Sequence, residues 1–380
     1  MHAILQPSSA HRWVHCPGSV KAEEQYPDVE NEEAREGTAA HEIAAELVKR
    51  ASVAKPYSWN DFEGRSATNG VLFNEEMYEA AEIYADDCRK VMISTGCFQP
   101  NIEQPVMIPR VHELNWGTYD FMIHQPLKFK IVITDFKYGR KPVELVENWQ
   151  LIEYGIGVID EITGGSGIAD QNYTIELRLV QPRAFHIDGV CRNWIVKASD
   201  LRGYANQLKS AADLSQTDNP PTTAGEWCRY CSASRGCMTL QKEAACITER
   251  VETLQLHDLS PEARSIELKY LQRSSEILKE RLSSLEDQAL ELAKQGELTP
   301  GYGIGYGRGA TVWNKPDSEV IALGDLLGVN LRKDESPITP TQALKKDIDE
   351  AVIKDYSTHE DGKARLVTDN KTIAGRVFKN

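Results

Sequence analysis

Two aspartates and a lysine stand in two neighbouring segments that are rich in β-branched and aromatic residues. Asp120 ends the sequence Gly-Thr-Tyr-Asp, and Asp135 and Lys137 flank a phenylalanine. A Gln-Pro pair at 125–126 lies between residues 118–123 and residues 129–138. The two segments are therefore predicted to form an antiparallel hairpin. Side chains two apart share a strand face, so Asp135 and Lys137 project together and Asp120 can reach them. Crowded carboxylates favour Mg²⁺ or Mn²⁺, although a cross-strand salt-bridge ladder would use the same three residues.

The elements that must position this group follow directly in the chain. Residues 143–158 are predicted to form a helix, on which Gln150 and Tyr154 are four apart and share a face. Residues 173–180 form the next predicted strand, which Gln181 and Pro182 end. Strand, helix and strand make a βαβ unit with an expected right-handed connection.

An early helix and an early strand offer two further ligands. His41 lies on a helix predicted for residues 36–50, with Gly37 and Thr38 as an N-terminal cap. It is either a partly buried, hydrogen-bonded histidine or a metal ligand. Glu103 lies on a strand predicted for residues 102–108 and is at most an auxiliary ligand.

Four cysteines have the spacing of a metal or cluster site. Cys228, Cys231 and Cys237 form a Cys-x2-Cys-x5-Cys run, and Cys16 lies about two hundred residues earlier. Three close cysteines leave a tetrahedral or cubane site one ligand short, which a distant fourth can supply. The spacing alone leaves zinc and iron equally open. The other cysteines fit no such pattern and are predicted to be small core or surface residues: Cys88, Cys97, Cys191 and Cys246.

In its order Gly-x-x-Asp at 117–120, Asp-x-Lys at 135–137 and Gln-x-x-x-Tyr at 150–154, the chain resembles the PD-(D/E)XK nuclease superfamily, specifically its RecB-like branch. The early cysteine with the later Cys-x2-Cys-x5-Cys run is similar to the iron-sulfur subset of that branch, and Gly-Thr-Ala-Ala-His at 37–41 is similar to its helix motif. The resemblance implies an α/β (α+β) fold with a restriction-endonuclease-like core, in which helices flank a mixed central sheet.

The resemblance also implies roles for the residues. Mg²⁺ or Mn²⁺ would be held by His41, Asp120, Asp135 and the backbone carbonyl of Phe136, with Glu103 as an auxiliary ligand. Lys137 would orient the attacking water or stabilise developing charge, and Gln150 and Tyr154 would contact the DNA backbone or orient the catalytic groups. A 4Fe-4S cluster would be bound by Cys16, Cys228, Cys231 and Cys237.

Charge and targeting signals limit where and how such a protein acts. The formal net charge is −14 and the pI about 5.2. A general grip on phosphates is therefore not expected, and DNA contact would be local. Candidate phosphate contacts are Lys128, Lys130, Arg140 and Lys141, which could equally be solvated loop residues. Neither a transmembrane run nor a secretory signal is recognisable, which predicts a cytoplasmic protein without membrane contact, in the host bacterial cytoplasm if phage-encoded.

Three regions are predicted. Residues 1–245 form the nuclease domain, 255–298 a long helical arm, and 299–380 a small α+β accessory region. Within the arm, a heptad stripe of leucines over 261–295 either pairs with a second copy or packs on its own domain. Glycines alternate with large residues at 301–309, which predicts either a strand that stacks single-stranded bases or an edge strand beside the arm.

The expected function is a metal-dependent DNA nuclease, with exonuclease action favoured, most like the nuclease-like proteins of phages and prophages that accompany recombination and replication genes. The alternative is a nuclease-derived module that binds DNA or a partner without cutting it.

Overall fold

The computed structural model describes residues 3–26, 32–165, 172–253, 261–333, 336–340, 343 and 349–368. The helices are α1 Ala10–His15, α2 Ser19–Glu23, α3 Glu32–Ser52, α4 Glu75–Thr95, α5 Trp149–Thr163, α6 Leu201–Ser215, α7 Met238–Thr253, α8 Pro261–Lys294, α9 Asp317–Leu327 and α10 Glu350–Tyr356. The strands are β1 Asn101–Met107, β2 Trp116–Gln125, β3 Lys130–Phe136, β4 Thr174–Val180, β5 Cys191–Lys197, β6 Tyr302–Trp313, β7 Arg332–Lys333, β8 Ser336–Pro337 and β9 Ser357–Thr368. In this described part of the chain, no helix has both the length and the apolar character needed to cross a bilayer.

A five-stranded mixed sheet in the order β1-β2-β3-β4-β5 forms the centre of the first unit. The predicted hairpin is confirmed, because β2 and β3 pair antiparallel across a short turn at Pro126–Lys128. The predicted strand-helix-strand unit is also confirmed, since α5 lies between β3 and β4 in the chain and these two strands pair in parallel. Parallel strands place their carboxyl ends at one edge of the sheet, which is where Lys137 follows β3.

Helices cover both faces of this sheet. Ile131 and Ile133 of β3 pack with residues of α5 and α6, whereas Val132 and Phe136 pack with residues of α3 and α4. This alternation explains the apolar run at 131–133 in β3, since successive side chains are buried on opposite faces of the sheet. The predicted mixed α/β class, with a central sheet flanked by helices, is confirmed.

Two predicted helix starts are wrong. The helix that carries His41 begins at Glu32, so Gly37 and Thr38 lie inside it rather than at its cap. Acidic residues in its first turn favour this earlier start through the helix dipole. The helix predicted from residue 143 begins at Trp149, where the side chain of Asn148 accepts a hydrogen bond from the Leu151 amide at 3.2 Å.

The long helix α8 confirms the extent predicted for 261–295. Residue contacts divide the chain within this helix, into Met1–Glu280 and Arg281–Asn380. The first unit extends beyond the domain predicted for 1–245 because Ile277 of α8 packs with Cys228 and Leu240. The heptad leucines lie on another side of the helix, with Leu271 and Leu285 each 43% exposed.

The second unit is a small α+β body, as predicted for the C-terminal region. Its glycine-rich segment forms β6, which pairs antiparallel with β9. Tyr302 and Ile304 are partly exposed, while the side chains of Tyr306 and Arg308 are outside what is described. The unit has its own core of Val320, Leu331, Ala343 and Ile353. Its last described helix, α10, begins at Glu350, where the Asp349 side chain accepts a hydrogen bond from the Ala351 amide.

Candidate metal centre and lysine relay

Asp120 and Asp135 lie next to each other on paired strands. In the antiparallel pair of β2 and β3, Phe121 is opposite Thr134. Asp120 precedes Phe121 and Asp135 follows Thr134, so the two aspartates are opposite each other. Both are buried, with 8% and 2% of the residue exposed. Ionised carboxylates are stable in such a place only when cations or hydrogen-bond donors surround them.

His41 and Glu103 meet Asp120 from two other elements. The His41 Nδ1 atom lies 3.5 Å from Asp120 Oδ1, and the imidazole packs beside the Phe136 ring. One potential ligand atom from each of His41, Glu103 and Asp120 falls within 4.8 Å of the others. Within the described ranges, no other three His, Cys, Asp or Glu side chains come this close. This set, the carboxylate-imidazole cluster, is a candidate metal centre.

Glu103 reaches the cluster through an unusual backbone conformation. It stands opposite Asp120, because Ile102 pairs with Phe121 and Gln104 with Tyr119. Its φ of 49° lies in the left-handed region, which is rare for a non-glycine residue in a strand. Such strain persists only where surrounding structure enforces it, and it is frequent at functional sites.

Lys137 connects Asp135 to the helix α5. Its Nζ atom donates to Asp135 Oδ1 at 3.2 Å and to Gln150 Oε1 at 2.8 Å. Gln150 Nε2 in turn donates to the Tyr154 hydroxyl at 3.1 Å. These four side chains, the lysine relay, run from the sheet to the helix as one hydrogen-bonded chain.

The carboxyl groups of the site differ in their affinity for protons. Burial, together with the charge of Asp120, raises the pKa of Glu103 to about 7. Burial likewise raises the pKa of Asp135 to about 6, against the opposing effect of Lys137. Burial opposes ionisation of Asp120 as well, but the charges of His41 and Lys137 outweigh it and lower that pKa. For His41 the attraction of Asp120 outweighs burial and raises the pKa. The site therefore combines one firmly ionised carboxylate with two that hold protons more tightly.

The donor atoms that remain fit a divalent cation. Asp135 Oδ2 is buried without a hydrogen bond; the Lys137 ammonium lies 2.9 Å from it but not in hydrogen-bonding geometry. Asp120 Oδ2 accepts from the Phe136 amide at 2.6 Å, which leaves Oδ1 turned toward His41. Carboxylate oxygens with one imidazole suit Mg²⁺ or Mn²⁺. Phe136 is described here as a donor to Asp120, and ligation by its carbonyl stays a prediction.

Gly117 opens the motif for a steric reason. A Cβ atom at this position would come within 2.8 Å of Pro7 Cγ and 3.0 Å of Tyr154 Cε1. Only glycine lets β2 lie so close to the tyrosine ring. Burial, followed by the charge of Asp135, raises the Tyr154 pKa well above its usual value, so the hydroxyl stays protonated.

The cysteine segment, residues 221–237, is joined to the N-terminal segment by backbone and side-chain bonds. The Thr223 amide lies 3.4 Å from the sulfur of Cys16, and its hydroxyl donates to the His15 carbonyl at 2.6 Å. The Gly18 amide donates to the Pro221 carbonyl at 2.8 Å. Cys16 is thus close to the run that contains Cys228, as expected.

Burial sets the state of these thiols. It raises the pKa of Cys16, that of Cys228 to about 11 and that of Cys231 to about 12. Cys228 interacts electrostatically with Cys16 and Cys237, and Cys231 with Cys228, so all four thiols lie in one neighbourhood.

Over residues 2–372, the sequence matches the family described as "Protein of unknown function (DUF2800)". The chain belongs to the DUF2800 family. A solved structure titled "Crystal structure of SSO0001" aligns with 57% of this chain and 92% of its own, at 14% identity and a TM-score of 0.24.

The structure also places the remaining predicted residues of the DUF2800 chain. Two candidate phosphate contacts are engaged in ion pairs, Lys130 with Glu176 at 2.7 Å and Arg140 with Glu76 at 3.1 Å. Lys141 lies 6.0 Å from the centre of the Tyr230 ring. Of the other cysteines, Cys88 is buried, Cys97 is partly buried, and Cys191 and Cys246 are exposed.

Sequence reasoning missed Gln181, which it used only to mark a strand end. The residue is 1% exposed and hydrogen-bonds to three residues of the loop that follows Lys137. The available signal was its type, since a glutamine at the buried end of an apolar strand needs partners for all its polar atoms.

Proposed function

We propose that this DUF2800 protein is a Mg²⁺- or Mn²⁺-dependent deoxyribonuclease of the RecB-like PD-(D/E)XK type, with a restriction-endonuclease-like core. It would hydrolyse phosphodiester bonds as an exonuclease in phage recombination, replication or DNA processing. The observation that supports this most is one arrangement: the Lys137 ammonium, held between Asp135 and Gln150, lies beside the carboxylate-imidazole cluster.

In this proposal, His41, Asp120 and Asp135 hold the cation, and Glu103 and the Phe136 carbonyl complete its surroundings. A bound divalent ion supplies Lewis acidity, a more acidic water and charge neutralisation at phosphate. The buried Oδ2 atom of Asp135, which accepts no hydrogen bond, supports its role, because it could also contact a divalent cation. The hydrogen bond from the Phe136 amide to Asp120 fixes that carboxylate so that its other oxygen faces His41.

Lys137 would stabilise negative charge as it develops on the phosphate. Its ammonium is oriented by two acceptors, so little reorganisation is needed at the moment of reaction. Gln150 and Tyr154 would keep the ammonium in place and offer neutral donors to the DNA backbone. Because Tyr154 keeps its proton, it adds no like charge next to the carboxylates.

DNA would be held over a limited area. The net charge of −14 disfavours a general electrostatic attraction, and Lys130 and Arg140 are already paired with glutamates. Lys128 and Lys141 are the better candidates for phosphate contacts. We expect weak binding in the absence of a divalent cation, since the cation then supplies much of the attraction.

We further propose a 4Fe-4S cluster on Cys16, Cys228, Cys231 and Cys237. The convergence of a distant cysteine on the Cys-x2-Cys-x5-Cys run supports this. Anaerobically purified protein should be brown with broad visible absorption and contain iron. Colourless protein with about one equivalent of zinc would show that the cysteines bind zinc and not an iron-sulfur cluster.

The partners follow from this function: DNA ends, phage recombination or replication proteins, and a second copy of the chain through residues 261–295. Exposed heptad leucines on α8 support the last of these. The same proposal places the protein in the cytoplasm. If the chain is phage-encoded, this is the cytoplasm of the bacterial host.

End-labelled single- and double-stranded DNA, incubated with the protein and with Mg²⁺ or Mn²⁺, tests the activity. Asp135→Ala and Lys137→Ala should each reduce cleavage by about 10²-fold or more. Asp213→Ala and Lys209→Ala are matched controls, because these two residues form an exposed pair on α6, and both should cleave normally. Intact DNA with every metal and end type would contradict the proposal. Retention of DNA without turnover would instead support the nuclease-derived binding module.

A further inference from the structure

The loop between β3 and α5 carries Lys137 and two further cations, Arg140 and Lys141. The Lys137 amide donates to the Val180 carbonyl at 2.9 Å, but beyond that point the loop leaves the sheet. Its path back to α5 decides where the Lys137 ammonium stands relative to Asp135 and Gln150. The bonds that fix this path are therefore part of the geometry of the relay.

One side chain supplies most of these bonds. Gln181 Nε2 donates to the carbonyls of Gly139 at 2.9 Å and Lys141 at 2.7 Å, and its Oε1 accepts from the Val143 amide at 3.0 Å. Oε1 also accepts from Arg192 Nη2 at 3.3 Å. A carboxamide has two donor hydrogens and two acceptor lone pairs, and here all four are used.

Arg192 strengthens the same attachment. It is 6% exposed, and its Nη1 donates to the Val143 carbonyl at 2.8 Å. Val143 is thus bonded at both its amide and its carbonyl by side chains from the end of β4 and from β5. These bonds restrict the movement of the loop relative to the sheet.

Arg183, two residues after Gln181, holds the loop from the other side. Its guanidinium carbon lies 3.9 Å from the centre of the Tyr138 ring, and its Nε is 2.9 Å from a carboxylate oxygen of Glu76 in the first turn of α4. Gln181 and Arg183 therefore bracket the segment that begins with Lys137.

We propose that Gln181, with Arg183, is a positioning residue that fixes the 137–143 loop so that Lys137 stays bonded to Asp135 and Gln150. The consequence for catalysis rests on the proposed nuclease function. The burial of the glutamine supports a positioning role: a buried carboxamide is costly unless its partners are fixed, and three of its partners belong to this loop. An apolar side chain would fill the same space without determining the path of the loop.

Two substitutions and one control test this inference. Gln181→Leu removes all four bonds, and Gln181→Glu keeps the acceptors but loses both donors. Gln125→Leu is the matched control, because Gln125 is a partly buried glutamine that donates to a backbone carbonyl, that of Thr95 at 2.8 Å, in another part of the sheet.

The first readout does not depend on nuclease activity. The acetylation rate of Lys137, followed by mass spectrometry on the folded protein, reports whether its ammonium is still held, and amide exchange over 137–148 reports the loop. Both Gln181 variants should raise the Lys137 rate and the exchange about tenfold or more, since the leucine variant loses four hydrogen bonds and the glutamate variant loses two. Gln125→Leu should leave both unchanged. Unchanged Lys137 labelling and loop exchange in the Gln181 variants would overturn the inference.

The second readout separates positioning from general destabilisation. At saturating DNA and Mn²⁺, both Gln181 variants should reduce kcat by about 10²-fold, because small displacements of a catalytic group have effects of that size. The Mn²⁺ concentration for half-maximal activity should stay within about twofold, since the cluster ligands are untouched. A kcat no lower than that of Gln125→Leu would refute the positioning role. Wild-type protein that cleaves no DNA would refute the proposed function, while the labelling result would still decide whether Gln181 holds Lys137.

Discussion

Glu103→Gly should make the metal-free protein more stable and the metal-loaded protein less stable. At a φ of 49°, a non-glycine residue costs about 1–2 kcal/mol, whereas glycine accepts this conformation readily. Glycine loses about 0.5–1 kcal/mol through the greater freedom of the unfolded chain. The net gain is about 0.75 kcal/mol, the middle of these ranges, before the relief of repulsion from Asp120 is added. For a protein of 380 residues, whose unfolding entropy is about 0.8 kcal/mol/K, such a gain raises Tm by about 1 °C.

In Mn²⁺, wild type should be more stable than Glu103→Gly. A ligand at a hundred times its Kd stabilises the folded state by about 2.7 kcal/mol. Glycine removes one member of the His41, Glu103 and Asp120 set, so a tenfold loss of affinity would reduce the stabilisation by about 1.4 kcal/mol.

Thermal melts in EDTA measure the relief of backbone strain, and melts in Mn²⁺ measure the loss of metal affinity. Glu103→Gly should melt above wild type in EDTA and below it in Mn²⁺. Glu103→Gln separates the two effects, because it keeps the strained backbone but removes the charge. A lower Tm for Glu103→Gly in EDTA would refute the strain argument, and an unchanged Mn²⁺ shift would refute ligation by this residue.

Three further predictions concern other parts of the first unit. Gly117→Ala should destabilise the protein by about 1–3 kcal/mol and reduce cleavage, because its Cβ would displace the Tyr154 ring; wild-type melting and kcat would contradict this. Glu153 is fully buried, which raises its pKa well above the usual value, so its ionisation in the unfolded state costs stability as pH rises above about 4.5. In wild type this loss amounts to at most about 1.4 kcal/mol per pH unit, and Glu153→Gln should reduce it. Urea titrations at pH 5.5 and 7.5 measure the free energy of unfolding of both proteins. The same pH dependence in the variant and in wild type would disprove the prediction. Cys228→Ser should abolish the visible absorption and increase protease sensitivity, whereas exposed Cys246→Ser should do neither; retained colour would exclude Cys228 as a ligand.

The sequence was informative where local pattern and final structure agree. The hairpin with Asp120 and Asp135 follows from alternating β-branched residues and an intervening proline, and β2 and β3 have that arrangement. The five-stranded mixed sheet between helices also agrees with the predicted class.

The errors have non-local causes. Residues from Val143 onward have helical character, yet the amide and carbonyl of Val143 are bonded by Gln181 and Arg192, which hold it outside the helix. The strained φ of Glu103 depends on the strands around it, and no period-two pattern can reveal it. Gln181 itself could not be recognised as a loop anchor, because its partners lie about forty residues earlier in the chain.

The bonds between the N-terminal segment and the cysteine segment constrain how the protein is made. His15 and Gly18 find their partners in Thr223 and Pro221, about two hundred residues later. A ribosome that adds about 5–20 residues per second needs about 10–40 s to synthesise that interval. During this time the His15 carbonyl and the Gly18 amide lack these partners, so chaperone binding at this segment during translation would affect the yield of folded protein.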